Sequence, residues 1–548
     1  MLRLVSVWIM SALATTSTWA QQPNILWVTC EDISPTLSMY GDSTAQTPNL
    51  DRLATESMIF NEAFATVGVC APARSSIITG MYPIAIGTQN MRTGHDMAGW
   101  GSRDYSSPSN AVDINGDSIP LYSAVIPAEV KCFTEYLRTA GYFCTNNAKT
   151  DYQFAAPVTA WDENSNQAHW KHRKEGQPFF SVFNINVSHE SFLWKNKDKP
   201  LTADPAAVSL PPYFPDTETI RNDVARNYSN IELMDAEVGE KLKELEDAGL
   251  LDNTIIFFFS DHGGPLPRGK RLHYESGLRV PMMVRIPDRL QQTYNNDMIS
   301  FVDLAPTVLA LAGVEAPAYL QGEDFLGNDA VSPRPYVFGS GDRFDEFSDR
   351  VRTVISKDYV YVRNYHPELP AYKDNSYRKK IPMMNELLAM SESDQLNSDQ
   401  NYWFRKTKTD EEFYLRRADP SSLNNLIDDP SYTAEIQALS LAMDTWLAEV
   451  NDQGAIPEKE MFLNMWPEGK QPQTAQPIAK VKKSVATLKA VGEGVSLAYT
   501  ISDESIAPDL DAGWQLYTTP VPLKKGQYLY ALANRIGYKD SEILIVNN

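Results

Sequence analysis

Cysteine is scarce: 548 residues contain four, Cys30, Cys70, Cys132 and Cys144. So few exclude a disulfide scaffold, and a chain this long can bury its core without staples. Cys132 and Cys144 could pair, but spacing alone does not decide it. Basic residues are in deficit, with 49 Lys and Arg against 70 Asp and Glu, a net charge of −21. That balance argues against a nucleic-acid partner, which needs a basic surface. After the first twenty residues no apolar run is long enough for a membrane span. There is no internal repeat and no low-complexity tract. With 43% hydrophobic and 11% aromatic residues, the chain is neither disordered nor collagen-like. At roughly 150 residues per domain, its length predicts two to four domains.

What is present begins with a targeting segment. Arg3 supplies the charged start, and Leu4 to Leu13 is apolar but too short to cross a bilayer. Thr18 and Ala20 sit at the −3 and −1 positions of a cleavage site before Gln21. Residues 1–20 therefore read as a signal peptide, and the mature protein as soluble and secreted or periplasmic.

Asn24–Thr29, Phe179–Ile185 and Thr254–Ser260 are near-continuous apolar runs, which is how buried parallel strands read. Ala128–Ala140 and Ile220–Leu245 carry apolar residues every three or four positions, which predicts helices between them. Strands alternating with helices predict an α/β fold with a mostly parallel sheet sandwiched by helices. Residues 21–365 form this catalytic domain. Residues 366–465 form a smaller α+β subdomain, with helices at Met383–Met390 and Ala434–Val450. Residues 466–483, with three prolines, read as a linker. Short alternating segments over 484–548 predict an appended β-sandwich resembling fibronectin-like modules.

In an open parallel sheet, ligands bind beyond the carboxyl ends of the strands. One predicted strand ends in Cys30-Glu31-Asp32, another in Ser260-Asp261-His262-Gly263-Gly264. Three carboxylates and an imidazole at one sheet edge repel unless a cation sits among them. Mainly oxygen donors favour calcium or magnesium over zinc. The alternative is two unrelated helix N-caps.

Val69-Cys70-Ala71-Pro72-Ala73-Arg74, followed by a serine-rich helix and Thr79-Gly80, changes that weighting. Cys-X-Pro-X-Arg in this setting resembles the signature of the formylglycine-dependent sulfatases of the alkaline-phosphatase superfamily. Asp252 through Gly263, Arg268-Gly269-Lys270 and Tyr274 through Pro281 resemble the family's second signature. Val302 through Val308 resembles its next helix, and Glu412 through Leu426 the start of its C-terminal subdomain. The resemblance spans roughly residues 23–450.

The resemblance implies sulfate-ester hydrolysis and assigns positions. Cys70 matches the residue oxidised to formylglycine by a maturation enzyme, and Arg74 the residue that steadies its hydrate. Glu31, Asp32, Asp261 and His262, with residue 70, match the ligands of one divalent cation, usually Ca2+. Glu31 and His262 depart from the more usual Asp and Asn. Lys149 and Lys270 match sulfate-binding lysines, and His189 the histidine beside the leaving oxygen. Many members carry a base histidine two residues after the first lysine; here that place is Asp151, a candidate for the role. His95, in Arg92-Thr93-Gly94-His95, is a second candidate or a substrate contact with Arg92. His366 and Arg363, from the second subdomain, are candidate pocket residues. A cation and two lysines would make the site locally cationic inside an acidic protein.

Export and an appended β-sandwich suggest a sulfated glycan as substrate partner, an algal galactan such as carrageenan or a glycosaminoglycan. A phosphodiester or phosphonate monoester hydrolase on the same scaffold, and a non-catalytic glycan-binding protein, are the other readings.

Overall fold

The computed structural model describes residues 22–94, 104–327, 333–506, 509 and 513–547. The expected signal peptide and His95 lie outside them. The main sheet has eight strands: β1 (Asn24–Cys30), β2 (Met58–Phe64), β3 (Phe143–Asn147), β4 (Glu163–Asn164), β5 (Phe179–Ile185), β6 (Thr254–Ser260), β7 (Arg279–Arg285) and β8 (Thr293–Ser300). Their spatial order is β4-β3-β5-β1-β6-β7-β2-β8. Only β7 runs against its neighbours; every other pairing is parallel.

Strands β1 and β6 are buried along their whole length, which their unbroken apolar sequences require. Alternate residues divide between two cores. Trp27, Phe180, Phe257 and Phe259 face one side. Leu26, Val28, Ile256 and Phe258 face the other, against Ile231, Met234, Val238 and Leu242 of the Glu218–Asp247 helix. Among the described residues no helix is long and apolar enough to cross a membrane.

That long helix also carries a buried acid. Asp223 Oδ2 accepts the backbone N–H of Met383 at 2.7 Å, in the first turn of the Pro382–Glu392 helix. Burial pushes its carboxyl up to about 6, with Arg226 opposing and Glu386 assisting. A raised folded-state value favours the neutral acid. Its contribution is thus full below pH 4 and is lost as the pH rises through about 6. Asp223→Asn keeps an acceptor for Met383 and removes the charge. Stability at pH 8 is expected to rise by about 1–2 kcal/mol, with little change at pH 4. Thermal melting at the two pH values checks this; equal shifts at both would refute it.

A second, antiparallel sheet has the order β12-β11-β10-β9, with β9 (Val337–Gly341), β10 (Val351–Ile355), β11 (Tyr359–Asn364) and β12 (Glu411–Leu415). Leu439 and Met443 of the Thr433–Val450 helix cover it. The expected boundary after residue 365 falls between β11 and β12, which pair directly. Composition does not reveal that pairing. The helix expected over Ala128–Ala140 is restricted to Thr134–Thr139. Before it, Val130, Cys132 and Phe133 plug the core from turns, with Phe133 N donating to Ile78 O. All four cysteines are buried free thiols.

The C-terminal region is two stacked sheets. One holds Ile478–Lys482, Val485–Lys489 and Val521–Pro522; the other holds Gln515–Leu516, Ser496–Ser502, Tyr528–Asn534 and Leu544–Asn547. The first strand lies within the stretch read as a linker. Leu497, Leu529, Ala531 and Ala533 pack between the sheets. The alternate residues Ala498, Tyr530 and Leu532 turn outward and pack with Trp514 on Val158 of the main domain. Arg138 Nη2 donates to Trp514 O at 3.1 Å, and Ser496 Oγ to Glu135 Oε2 at 2.6 Å, so the module is docked.

Candidate active site

Four adjacent parallel strands deliver the expected residues to one sheet edge. Cys30 and Ser260 are in register, so Glu31-Asp32 and Asp261-His262 leave β1 and β6 side by side. Beyond β5 comes His189, and beyond β3 come Lys149 and Asp151. Gly263 follows directly. A Cβ there would lie 2.2 Å from Ser276 O, so only glycine lets the 263–278 loop fold over the edge. Gly68 serves the same purpose: its Cβ would meet Leu272 O at 2.2 Å. These close approaches bring Lys270 to Cys70.

Cys70 opens a ten-residue buried helix, Cys70–Thr79. Small residues at 71, 73, 75 and 76 let it lie inside, and Pro72 is tolerated in the first turn. Arg74, one turn on, shares the face of Cys70. The Cys70 Sγ lies 3.2 Å from His262 Nε2 and 3.3 Å from Lys270 Nζ. Ligand atoms of Glu31, Asp32, Cys70 and His189 lie within 4.8 Å of one another, as do those of Cys70, Asp261 and His262.

The charges are tightly balanced. Lys270 Nζ donates to both Asp32 oxygens, at 2.9 and 2.7 Å, and Lys149 Nζ donates to Glu31 Oε2. Arg74 Nη1 stands 3.5 Å from both Glu31 and Asp261, and its Nη2 donates to Asn184 Oδ1. Burial and the Asp261 charge push Glu31 up despite Lys149 and Arg74. Burial alone would raise Asp32, but Lys270, His189 and His262 hold it well below the carboxylate range. His262 is held high: burial disfavours its charge, and Asp261, Cys70 and Asp32 more than offset that. Even so, among the described residues Glu31 Oε1 and Asp261 Oδ2 are buried with no hydrogen-bond partner. Orphaned carboxylate oxygens among hard donors suit a divalent cation.

His189 is kept neutral by burial and by Lys270. Its Nδ1 accepts the Ser191 backbone N–H at 3.2 Å, which places the remaining ring proton on Nε2. Asp151 Oδ2 lies 3.7 Å from Lys149 Nζ and, among the described residues, is buried with no hydrogen-bond partner. Asp32, Arg92, Asp151 and Arg271 all take left-handed backbone angles, with φ of 53°, 55°, 54° and 70°. Such a cluster of unfavourable conformations marks a site whose surroundings over-determine it.

A hollow above Lys270 and His189 is lined by Arg92, Arg271, Arg343, Asp345 and Tyr377. Arg271 is committed to both Glu190 oxygens and to Asp345, and Arg343 to Glu458. Among the described residues Arg92 Nε is buried with no hydrogen-bond partner. Glu190, Asn184 and Arg271 are absent from the sequence reading. Each adjoins a recognised residue or strand end, and that adjacency was the available signal.

Matches to known proteins agree with this geometry. The sulfatase family model matches residues 23–314. An ulvan-active sulfatase of Formosa agariphila is 39% identical over 96% of this chain and 91% of its own length. The chain belongs to the sulfatase family. This sulfatase is therefore a sulfuric ester hydrolase with the alkaline-phosphatase-like fold. A structure from the glycosaminoglycan metabolism of Bacteroides thetaiotaomicron shares the fold at a TM-score of 0.56, with 18% identity over 81% of this chain and 99% of its own. A phosphonate monoester hydrolase of Silicibacter pomeroyi does so at 0.55, with 15% identity over 86% and 99%.

Of the two expected pocket residues from the second subdomain of the sulfatase, Arg363 stands elsewhere. Arg363 on β11 turns to the covering helix, where it meets Asp444 at 2.6 Å and Ser440 at 2.9 Å. Its strand position aims it away from the Cys70 edge. His366 lines a neighbouring hollow with Asp349, Arg350 and Tyr365, which meets the first hollow at Arg343.

Proposed function

We propose that this sulfatase removes sulfate from an algal polysaccharide, with ulvan ahead of carrageenan or a glycosaminoglycan, using a formylglycine made from Cys70 by a maturation enzyme. The observation that carries the reading is the convergence of Cys70, Arg74, Lys149, His189 and Lys270 on one sheet edge. Similarity to an ulvan-active relative along nearly the whole chain supports the choice of polymer. Export to the periplasm or medium is part of the proposal, because the polymer cannot enter a cell.

Glu31, Asp32, Asp261 and His262 would hold one divalent cation, Ca2+ by their hard oxygen donors. Bound there, it would supply Lewis-acid activation of the residue-70 oxygen and charge neutralisation. The formylglycine, once hydrated, would supply a nucleophilic oxygen where the thiol now stands. Lys149 and Lys270 hold the sulfate oxygens as point charges in a water-poor site. Arg74 fixes residue 70 from one helical turn away. His189, once protonated to the imidazolium, gives its Nε2 proton to the departing alcohol oxygen and returns to the neutral ring. The anionic ester brings negative charge that counters Lys270 and raises the proton affinity of the ring. Asp151, beside Lys149, takes a proton from the residue-70 hydrate. Arg92, whose Nε has no hydrogen-bond partner among the described residues, contacts an anionic group of the glycan.

The test is a panel of defined sulfated oligosaccharides from ulvan, carrageenan and glycosaminoglycans, set against phosphodiester and phosphonate monoesters. Free sulfate and a desulfated sugar are expected, with the highest kcat/KM on an ulvan fragment. A phosphorus ester outrunning every sulfate ester would replace this reading with its runner-up. No turnover by protein carrying the aldehyde would point to a binding role instead.

A further inference from the structure

The C-terminal module differs in charge from everything before it. Residues 471–548 hold eight Lys and Arg against seven Asp and Glu, whereas residues 1–470 hold 41 against 63. The two signs are also segregated within the module. No Asp or Glu occurs between Glu468 and Glu493, or between Asp511 and Asp540. Both acid-free stretches feed the same three-stranded sheet, Ile478–Lys482, Val485–Lys489 and Val521–Pro522.

One face of that sheet packs inward through Ala486, Leu488 and Val521. The register pairs Ile478 with Lys489, Lys480 with Thr487, and Lys482 with Val485. Residues opposite one another across an antiparallel pair share a face, so Lys480, Lys482 and Lys489 all stand on the outward one. Alternate residues of a strand are about 6.6 Å apart and neighbouring strands about 4.8 Å, so these ammonium groups form a compact array. Lys483 in the hairpin turn and Lys524 and Lys525 beyond Pro522 extend it. All six lysines are exposed. Among the described residues none of these six lysines enters an ion pair, whereas Lys470, just before the module, meets Glu468. The four-stranded sheet lies between this sheet and the main domain, so the lysine face looks to solvent.

We infer that this face is a second, non-catalytic binding surface for the sulfated polysaccharide chain itself. The inference rests on the proposed substrate. Charge complementarity selects the occupant. The outward face carries Ile478 and Val485 but no aromatic residue, whereas membrane-surface binders insert Trp, Phe or Leu. A diffuse array of ammonium groups suits a flexible polyanion whose sulfates need no fixed geometry. It also offsets the repulsion that an acidic protein exerts on such a chain. Once the polymer is held, sulfate esters are presented to the Cys70 edge at raised local concentration.

The experiment is affinity electrophoresis of the full, matured enzyme through gels containing ulvan, and through gels containing chemically desulfated ulvan. Lys480→Gln/Lys482→Gln/Lys489→Gln is expected to weaken retention by sulfated ulvan about tenfold at low salt, with both proteins released as salt screens the charges. Sulfate release from the polymer at low concentration should fall in step. Turnover of a short sulfated oligosaccharide should not change, and this also shows that the variant is folded. Unchanged retention overturns the inference. So does a larger loss on phosphatidylglycerol vesicles than on ulvan, which would make the face a membrane contact. A wild-type enzyme that is retained by ulvan but releases no sulfate from it refutes the proposed substrate and leaves the surface standing.

Discussion

Cys70→Ala is expected to lower kcat/KM on any sulfate ester by at least about 10^4-fold, because it removes the proposed nucleophile rather than a supporting contact. The substitution should leave the fold intact. Alanine keeps the Cβ and loses a single heavy atom, suits the first turn of a helix, and leaves the Arg74 contacts with Asn184, Lys149 O and Thr150 O untouched. Thermal melting within a few degrees of the parent would document this. A second arm needs no mutation. The peptide containing residue 70 should carry a carbonyl in protein from a maturation-competent host and a thiol in protein from a host without that machinery. Only the first should turn over. Activity in the alanine variant, or equal activity in both wild-type preparations, would move the nucleophile to another residue.

Much of this site is legible in the sequence because its parts are local. Glu31-Asp32 and Asp261-His262 each follow an unbroken apolar run, and strands β1 and β6 are buried from end to end. Their adjacency follows from parallel pairing in register. Cys70 and Arg74 are one helical turn apart, so their shared face is already fixed by spacing. What the sequence does not disclose is pairing between distant segments. Arg271 reads as one more charged residue next to Lys270, yet it ties Glu190 and Asp345 together across the site. Arg363 looks equivalent to Arg92 on paper. Strand register sends it to Asp444 on the covering helix, whereas Arg92 is left beside Asp151, Cys70 and Asp345. The strand at Ile478–Lys482 hides in a proline- and glutamine-rich stretch because its stability comes from pairing with Val485–Lys489 and not from its own composition.

The same balance of charge explains how an acidic enzyme can receive an anionic ester. The lysines proposed to hold the sulfate are engaged by carboxylates, Lys270 by Asp32 and Lys149 by Glu31. A dication among Glu31, Asp32, Asp261 and His262 would take over much of that compensation, leaving Lys149 and Lys270 available to the substrate. Removal of divalent ions by a chelator is therefore expected to act twice, on nucleophile activation and on sulfate binding. Turnover should fall by at least about 10^3-fold, roughly the worth of losing several kcal/mol of charge stabilisation at the reacting centre. The melting temperature should fall too, because buried like charges then face one another with two oxygens unpaired. Calcium should restore both, and zinc should do so less well despite the imidazole of His262, since oxygen donors dominate the set. Asp261→Asn keeps the shape and one acceptor oxygen but removes a charge. It should shift the calcium concentration for half-maximal activity upward by about 10- to 100-fold without changing the aldehyde content at residue 70. A chelated enzyme that keeps its turnover, or an Asn variant with the parent calcium requirement, would place the cation elsewhere or remove it from the chemistry.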